Sequence, residues 1–107
     1  MGQNPFQNYV SNPGGSLSVL NVTAVGNVVA RKAKLRKIVV VAAGSTNPLD
    51  VYDTAAPAQD AAGTHVASIP AAQLTAGAVI TLDWPCQSGI TFGGTWPSGL
   101  IASVSYD

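Results

Sequence analysis

The stretch from Leu35 to Asp53, LRKIVVVAAGSTNPLDVYD, constrains the fold of this chain more than any other. Ile38, Val39, Val40 and Val41 are four consecutive β-branched residues, stiff at χ1 and better suited to a pleated, buried surface than to a helix. The run is strand-sized, far short of the roughly 20 apolar residues that span a bilayer. Gly44, Asn47 and Pro48 then break it; these residues favour turns through positive φ, local side-chain hydrogen bonding and a missing amide donor. The pattern predicts a buried strand that returns through residues 49–52 as its antiparallel neighbour, a hairpin at the centre of a core.

The other apolar segments are equally short. Residues 17–24, LSVLNVTA, alternate, which predicts a strand with Leu20 and Val22 inward. Gly26 and Asn27 allow a bulge or turn before Val28 and Val29. HVASI (65–69), AVITLDW (78–84), GITF (89–92) and LIASVSYD (100–107) follow as strands. Pro70 ends one of them and suits the start of a single helical turn over residues 71–76, too short to stand alone. Turn signals recur every 8 to 14 residues and the chain contains no Glu. The expectation is an all-β fold: an antiparallel β-sandwich, jelly-roll-like, of about eight strands over residues 17–107. Residues 1–16, broken by Pro5, Pro13, Gly14 and Gly15, form an extended N-terminal arm. Its aromatics, Phe6 and Tyr9, imply packing either on a neighbouring subunit or back over the same core.

All five basic residues lie in ARKAKLRK: Arg31, Lys32, Lys34, Arg36 and Lys37. In an unbroken strand Arg31 and Lys37 would share the face of Ala33 and Leu35, so a bulge or turn is needed to keep both out of the core. The cluster could dock on an acidic protein surface or blunt a strand edge. Nucleic acid is the weakest fit, because the net charge is zero and no aromatic is interleaved with the cations.

Only 9% of residues are charged, against about a quarter in soluble domains generally. So few charges suit a surface covered by other chains, and the expectation is a homo-oligomer, dimer or trimer, within a larger assembly. The single cysteine, Cys86, has no intramolecular disulfide partner. The opening residues lack the pattern of a signal peptide, and together these features suit assembly in a reducing cytoplasm with no membrane partner.

Chemistry is hard to build from these residues. The acids are Asp50, Asp53, Asp60, Asp83 and Asp107. Asp50 and Asp53, three apart, point to opposite faces of a strand, and Asp53 is better read as accepting turn hydrogen bonds. His65 and Cys86 lack a third orienting residue, no phosphate-binding loop occurs and no metal-ligand spacing occurs. The expectation is no catalysis, no cofactor and no metal. Trp84 reads as core. Trp96, between Gly94 and Pro97, reads as a loop-tip contact or as a ring folded down to plug one end of the sandwich.

The succession AVGNVVARKAKLRKIVVVAAGSTNPLDVYD, GTHVASIPAAQL, AGAVITLDWPCQSGITF and SGLIASVSYD resembles the small structural proteins encoded by tailed bacteriophages, over residues 22–107. The resemblance implies a virion protein: a capsid decoration or cement protein that binds the major capsid protein at the shell surface. The alternative it implies is a fibre-tip or tail-associated β-domain that binds a host receptor or glycan. With the arm aromatics and the basic cluster, the contact residues expected for a capsid role are Phe6, Tyr9, Arg31, Lys32, Lys34, Arg36 and Lys37, and for the fibre-tip role Trp96.

Overall fold

A computed structural model of the chain describes residue 15, residues 17–55 and residues 64–107. The expected arm, with Phe6 and Tyr9, lies outside the described residues. Eight strands follow in order: β1 (Leu17–Val22), β2 (Gly26–Val29), β3 (Ala33–Ala42), β4 (Leu49–Tyr52), β5 (His65–Ile69), β6 (Val79–Cys86), β7 (Ile90–Gly93) and β8 (Ile101–Tyr106). They form two antiparallel four-stranded sheets, β1-β8-β3-β6 and β2-β7-β4-β5. The all-β sandwich is therefore as expected. The helical turn shortens to a 3-10 turn, Ala71–Gln73, with Pro70 extended immediately before it.

The pairing is nested: β1 with β8, β2 with β7, β3 with β6 and β4 with β5. Successive pairs of this nest alternate between the two sheets. Pairing of β3 with β8 and of β4 with β7 closes the roll. This arrangement overturns the expected hairpin. β3 and β4 lie in different sheets, and the Gly44–Pro48 segment carries the chain across the sandwich instead of back along the same sheet. Gly44 permits that crossing closely, since a Cβ there would meet Pro97 Cβ at 2.6 Å and Leu100 Cβ at 2.8 Å.

The basic strand β3 contains the bulge its sequence requires. Register shifts between Leu35 and Lys37 against both neighbours. Before the shift Ala33 and Leu35 are buried; after it Ile38 and Val40 are. Opposite them, Leu49, Val51, Ile90 and Phe92 of the second sheet complete the core with Ala102 and Val104 of β8.

A second bulge corrects the reading of β1. Register slips between Val19 and Val22, where Asn21 adopts φ of 55°. Val22 packs on the core, but Leu20, expected inward, points out and is 69% exposed. The extra residue reverses the phase of the strand. Trp84, expected in the core, is 51% exposed. It stands on β6, an edge strand, and Asp83 immediately before it takes φ of 47°, which breaks the alternation there.

Candidate functional site

Three features of the surface bear on function. The first is the outer face of the β1-β8-β3-β6 sheet. Val39 pairs with Val79 on one side and with Ser103 on the other, so all three share a face, and the same register places Lys37, Thr81 and Ser105 with them. Leu20 lines a shallow trough of about 190 Å³ with Val39, Ser18 and Ser103, which places it on this face as well. Val39, Val41 and Val79 are 38%, 50% and 57% exposed. Serines of β8 run between the apolar side chains, and among the described residues of this register Lys37 is the first charge met along β3. Monomeric domains seldom leave such a patch open.

The second is the basic end of β3. Arg31 and Lys32 are exposed in the β2–β3 connection, while Lys34 and Lys37 are half-buried on the strand. Arg31 lies 6.0 Å above the Tyr106 ring, within the range of a cation–π contact. Arg36 does not join them. It is buried, and its guanidinium binds Asp107 at 2.7 Å and Asp83 at 3.2 Å. Its hydrogen bond to Asp107, with Asp83 adding to it against the cost of burial, pushes its pKa up further. Arg36 thus ties β3 to a carboxylate on each flanking strand, β6 and the end of β8. This corrects its reading as an open contact residue: the bulge that keeps Lys37 out turns Arg36 under.

The third is a cleft of about 520 Å³ between the edge strands β5 and β6, lined by Asp53, Thr64, His65, Val66, Trp84 and Ser88. Its floor is built by Asp53. The Gln87 and Ser88 amides donate to its carboxylate at 2.8 Å each, and the Gly89 amide at 3.3 Å. Burial alone would raise the Asp53 pKa, but the three N–H bonds outweigh it and hold the group below its ordinary value. The reading of Asp53 as a turn acceptor therefore stands. The bonds anchor the β6–β7 crossing, where Gly89 is obligatory because a Cβ would overlap Val29 O and Thr54 O. His65, at the start of β5, stacks on Tyr52 with centroids 4.7 Å apart and faces Asp50 at 3.4 Å.

Trp96 is not an open loop tip. Its ring meets buried Phe92 edge-on at 5.5 Å, and its Nε1 donates to Leu100 O at 3.1 Å. Of the two roles expected for it, the structure shows the plug. The exposed tryptophan is Trp84. One signal in the sequence marks it: Pro85 inside a strand restricts that strand to a sheet edge, where an adjacent aromatic can remain open. Cys86 is fully buried, and burial, with the Asp53 charge adding to it, pushes its thiol up to about 11. Among the described residues no group of three or more His, Cys, Asp or Glu could hold a metal ion.

The fold and these surfaces define an all-β, two-sheet sandwich with one open apolar face and one polar edge cleft. No family model matches the chain, and neither a curated protein nor a solved structure matches it.

Proposed function

We propose that the protein is a non-enzymatic structural component of a virion, a decoration or cement protein that binds the major capsid protein at the shell surface as a dimer or trimer. The observation that carries this reading is the apolar outer face formed by Leu20, Val39, Val41 and Val79, bordered at one end by Lys34 and Lys37. A face of that kind suits burial against a repeating protein surface, with the cations selecting an acidic rim. Many copies on a symmetric lattice would add modest interfaces into firm attachment. The nested strand pairing favours a jelly-roll-like arrangement of the sandwich, an architecture found among viral capsid domains, and it supports the same reading. The commitments of the polar groups also favour a role without catalysis. Three amides take most of the acceptor positions on Asp53, Cys86 is buried with a raised pKa, and His65 stacks on Tyr52 with its Nε2 3.4 Å from Asp50.

Localising the protein on purified particles by imaging tests the proposal, together with the Leu20→Lys and Val39→Lys variants. Both side chains are exposed, so the variants should fold with stability within about 0.5 kcal/mol of the parent. Particle occupancy and heat resistance should fall together. Density on a tail or fibre in place of the shell, or full occupancy by both variants, would overturn the reading.

A further inference from the structure

We infer that the cleft between β5 and β6 is a binding site for neutral saccharides, with the Trp84 ring as its stacking platform and Ser88, His65 and Asp53 as its hydroxyl partners. The inference is independent of where the protein sits on a particle.

Each part follows from the chemistry of the lining. A pyranose ring presents a face of C–H groups and a rim of hydroxyls, and it is recognised by an aromatic face beside convergent polar atoms. Trp84 offers the largest π-face of any side chain. It is half exposed on an edge strand, where no other described strand covers it. The cleft's volume of about 520 Å³ falls within the roughly 300–1,000 Å³ typical of ligand sites. Its lining mixes polar and apolar groups, with Val66 beside Thr64 and Ser88.

Charge narrows the class. An ionised carboxylate has about four acceptor positions, and the amides of Gln87, Ser88 and Gly89 occupy three on Asp53. One remains to accept from a ligand hydroxyl. The same negative charge disfavours phosphate, sulfate or uronate groups, and among the described residues that line the cleft there is neither Lys nor Arg. Stacked nucleic-acid bases are disfavoured for that reason, since their binding depends on a cationic groove. The Asp53 bonds also hold the β6–β7 crossing that carries Ser88, so the floor of the site is built before a ligand arrives.

Amide chemical-shift mapping of the full chain tests the inference, using a panel of neutral oligosaccharides of glucose, galactose, mannose and N-acetylhexosamines, with a uronate oligosaccharide as the charged comparison. At least one neutral member should shift the amides of Thr64, His65, Val66, Trp84 and Ser88 in a saturable way. The Trp84→Ala variant should weaken that binding about tenfold or more, in line with the worth of one aromatic stacking partner. Trp84→Phe should recover part of it, and Trp96→Phe should leave it unchanged. Ser88→Ala, on an exposed side chain, gives a variant that tests the hydroxyl contact without disturbing the core, and it should weaken binding as well. Three results would overturn the inference: no saturable shift from any neutral member, shifts that persist unaltered in Trp84→Ala, or preference for the uronate.

Discussion

Replacing Asp53 by Asn isolates the clamp on which both the sandwich crossing and the cleft floor depend. The aspartate oxygens accept from Gln87 N and Ser88 N at 2.8 Å and from Gly89 N at 3.3 Å. Asparagine keeps one acceptor oxygen, removes the charge and turns an NH₂ group toward the amides. Hydrogen bonds to a charged group are worth about 1.5–3 kcal/mol each when the donor cannot reach water. The Gln87 and Ser88 bonds are exposed, so those amides re-bond to solvent and their loss costs about 0.5 kcal/mol each. The Gly89 bond is partly buried and contributes about 1 kcal/mol. The sum is roughly 2 kcal/mol, a fall in Tm of roughly 8 °C for a domain of this length. The pH dependence is sharper than the magnitude. The folded pKa lies below the ordinary value of 3.8, so ionised Asp53 stabilises the fold fully above that value, and the contribution is lost as pH falls through the folded value. Urea denaturation followed by tryptophan fluorescence should therefore give a constant gap between parent and variant from about pH 8 to pH 5, narrowing below 3.8. A gap under about 0.5 kcal/mol at pH 7, or one that stays constant down to about pH 3, would refute the clamp.

The two tryptophans should separate cleanly by stability. Trp96→Ala removes the edge contact to Phe92 and the bond to Leu100 O and should cost about 2–3 kcal/mol for this half-buried ring, whereas Trp84→Ala should stay within about 1 kcal/mol; equal costs in urea titrations would contradict the inside–outside assignment. Cys86, fully buried with its thiol pushed up to about 11, should resist a thiol-specific reagent in the native state and react at once when unfolded. Because the folded pKa exceeds the ordinary 9.0, its contribution is intact below pH 9.0 and lost as pH rises toward about 11. The Cys86→Ala variant should lack that alkaline component, and rapid native labelling or an identical alkaline profile would refute the burial.

Local patterns in the sequence carried the class of fold and one of its irregularities. A bulge or turn between Arg31 and Lys37 follows from the impossibility of burying both, and the structure shows a register shift between Leu35 and Lys37 with Arg31 outside the strand. What was not legible was the partner of each strand. The Gly44–Pro48 turn is consistent with a hairpin, yet β3 pairs with strands some forty to seventy residues further along, and no local signal encodes such a distance. The bulge in β1 was likewise hidden, since Asn21 tolerates the left-handed conformation without announcing it. The burial of Arg36 has no local signal, because its partners, Asp83 and Asp107, are remote in sequence. In the run from Ile38 to Val41 every residue is apolar, which suits a strand covered on both faces. In this chain only Ile38 and Val40 are covered by the molecule itself.

Strand β6, which pairs with the half-covered β3, links the two proposals physically. Val79 and Trp84 lie on the same edge strand, β6, five residues and therefore about 16 Å apart along an extended chain. Val79 shares the outer face with Val39, whereas Trp84 lines the cleft that opens toward β5 of the other sheet. A partner seated on the outer face would bury Val79 and leave the cleft facing outward past the sheet edge, so attachment and saccharide recognition need not compete. The Arg36 bridge to Asp83 sits between the two sites on β6. It fixes the irregular turn of strand that changes the direction of the side chains from one surface to the other. Variants on the face should therefore lose particle occupancy while retaining saccharide shifts, and variants at Trp84 the reverse. A chain whose outer face alone mattered would have no structural need for an exposed tryptophan at its edge, next in sequence to the half-exposed Asp83 that pairs with Arg36.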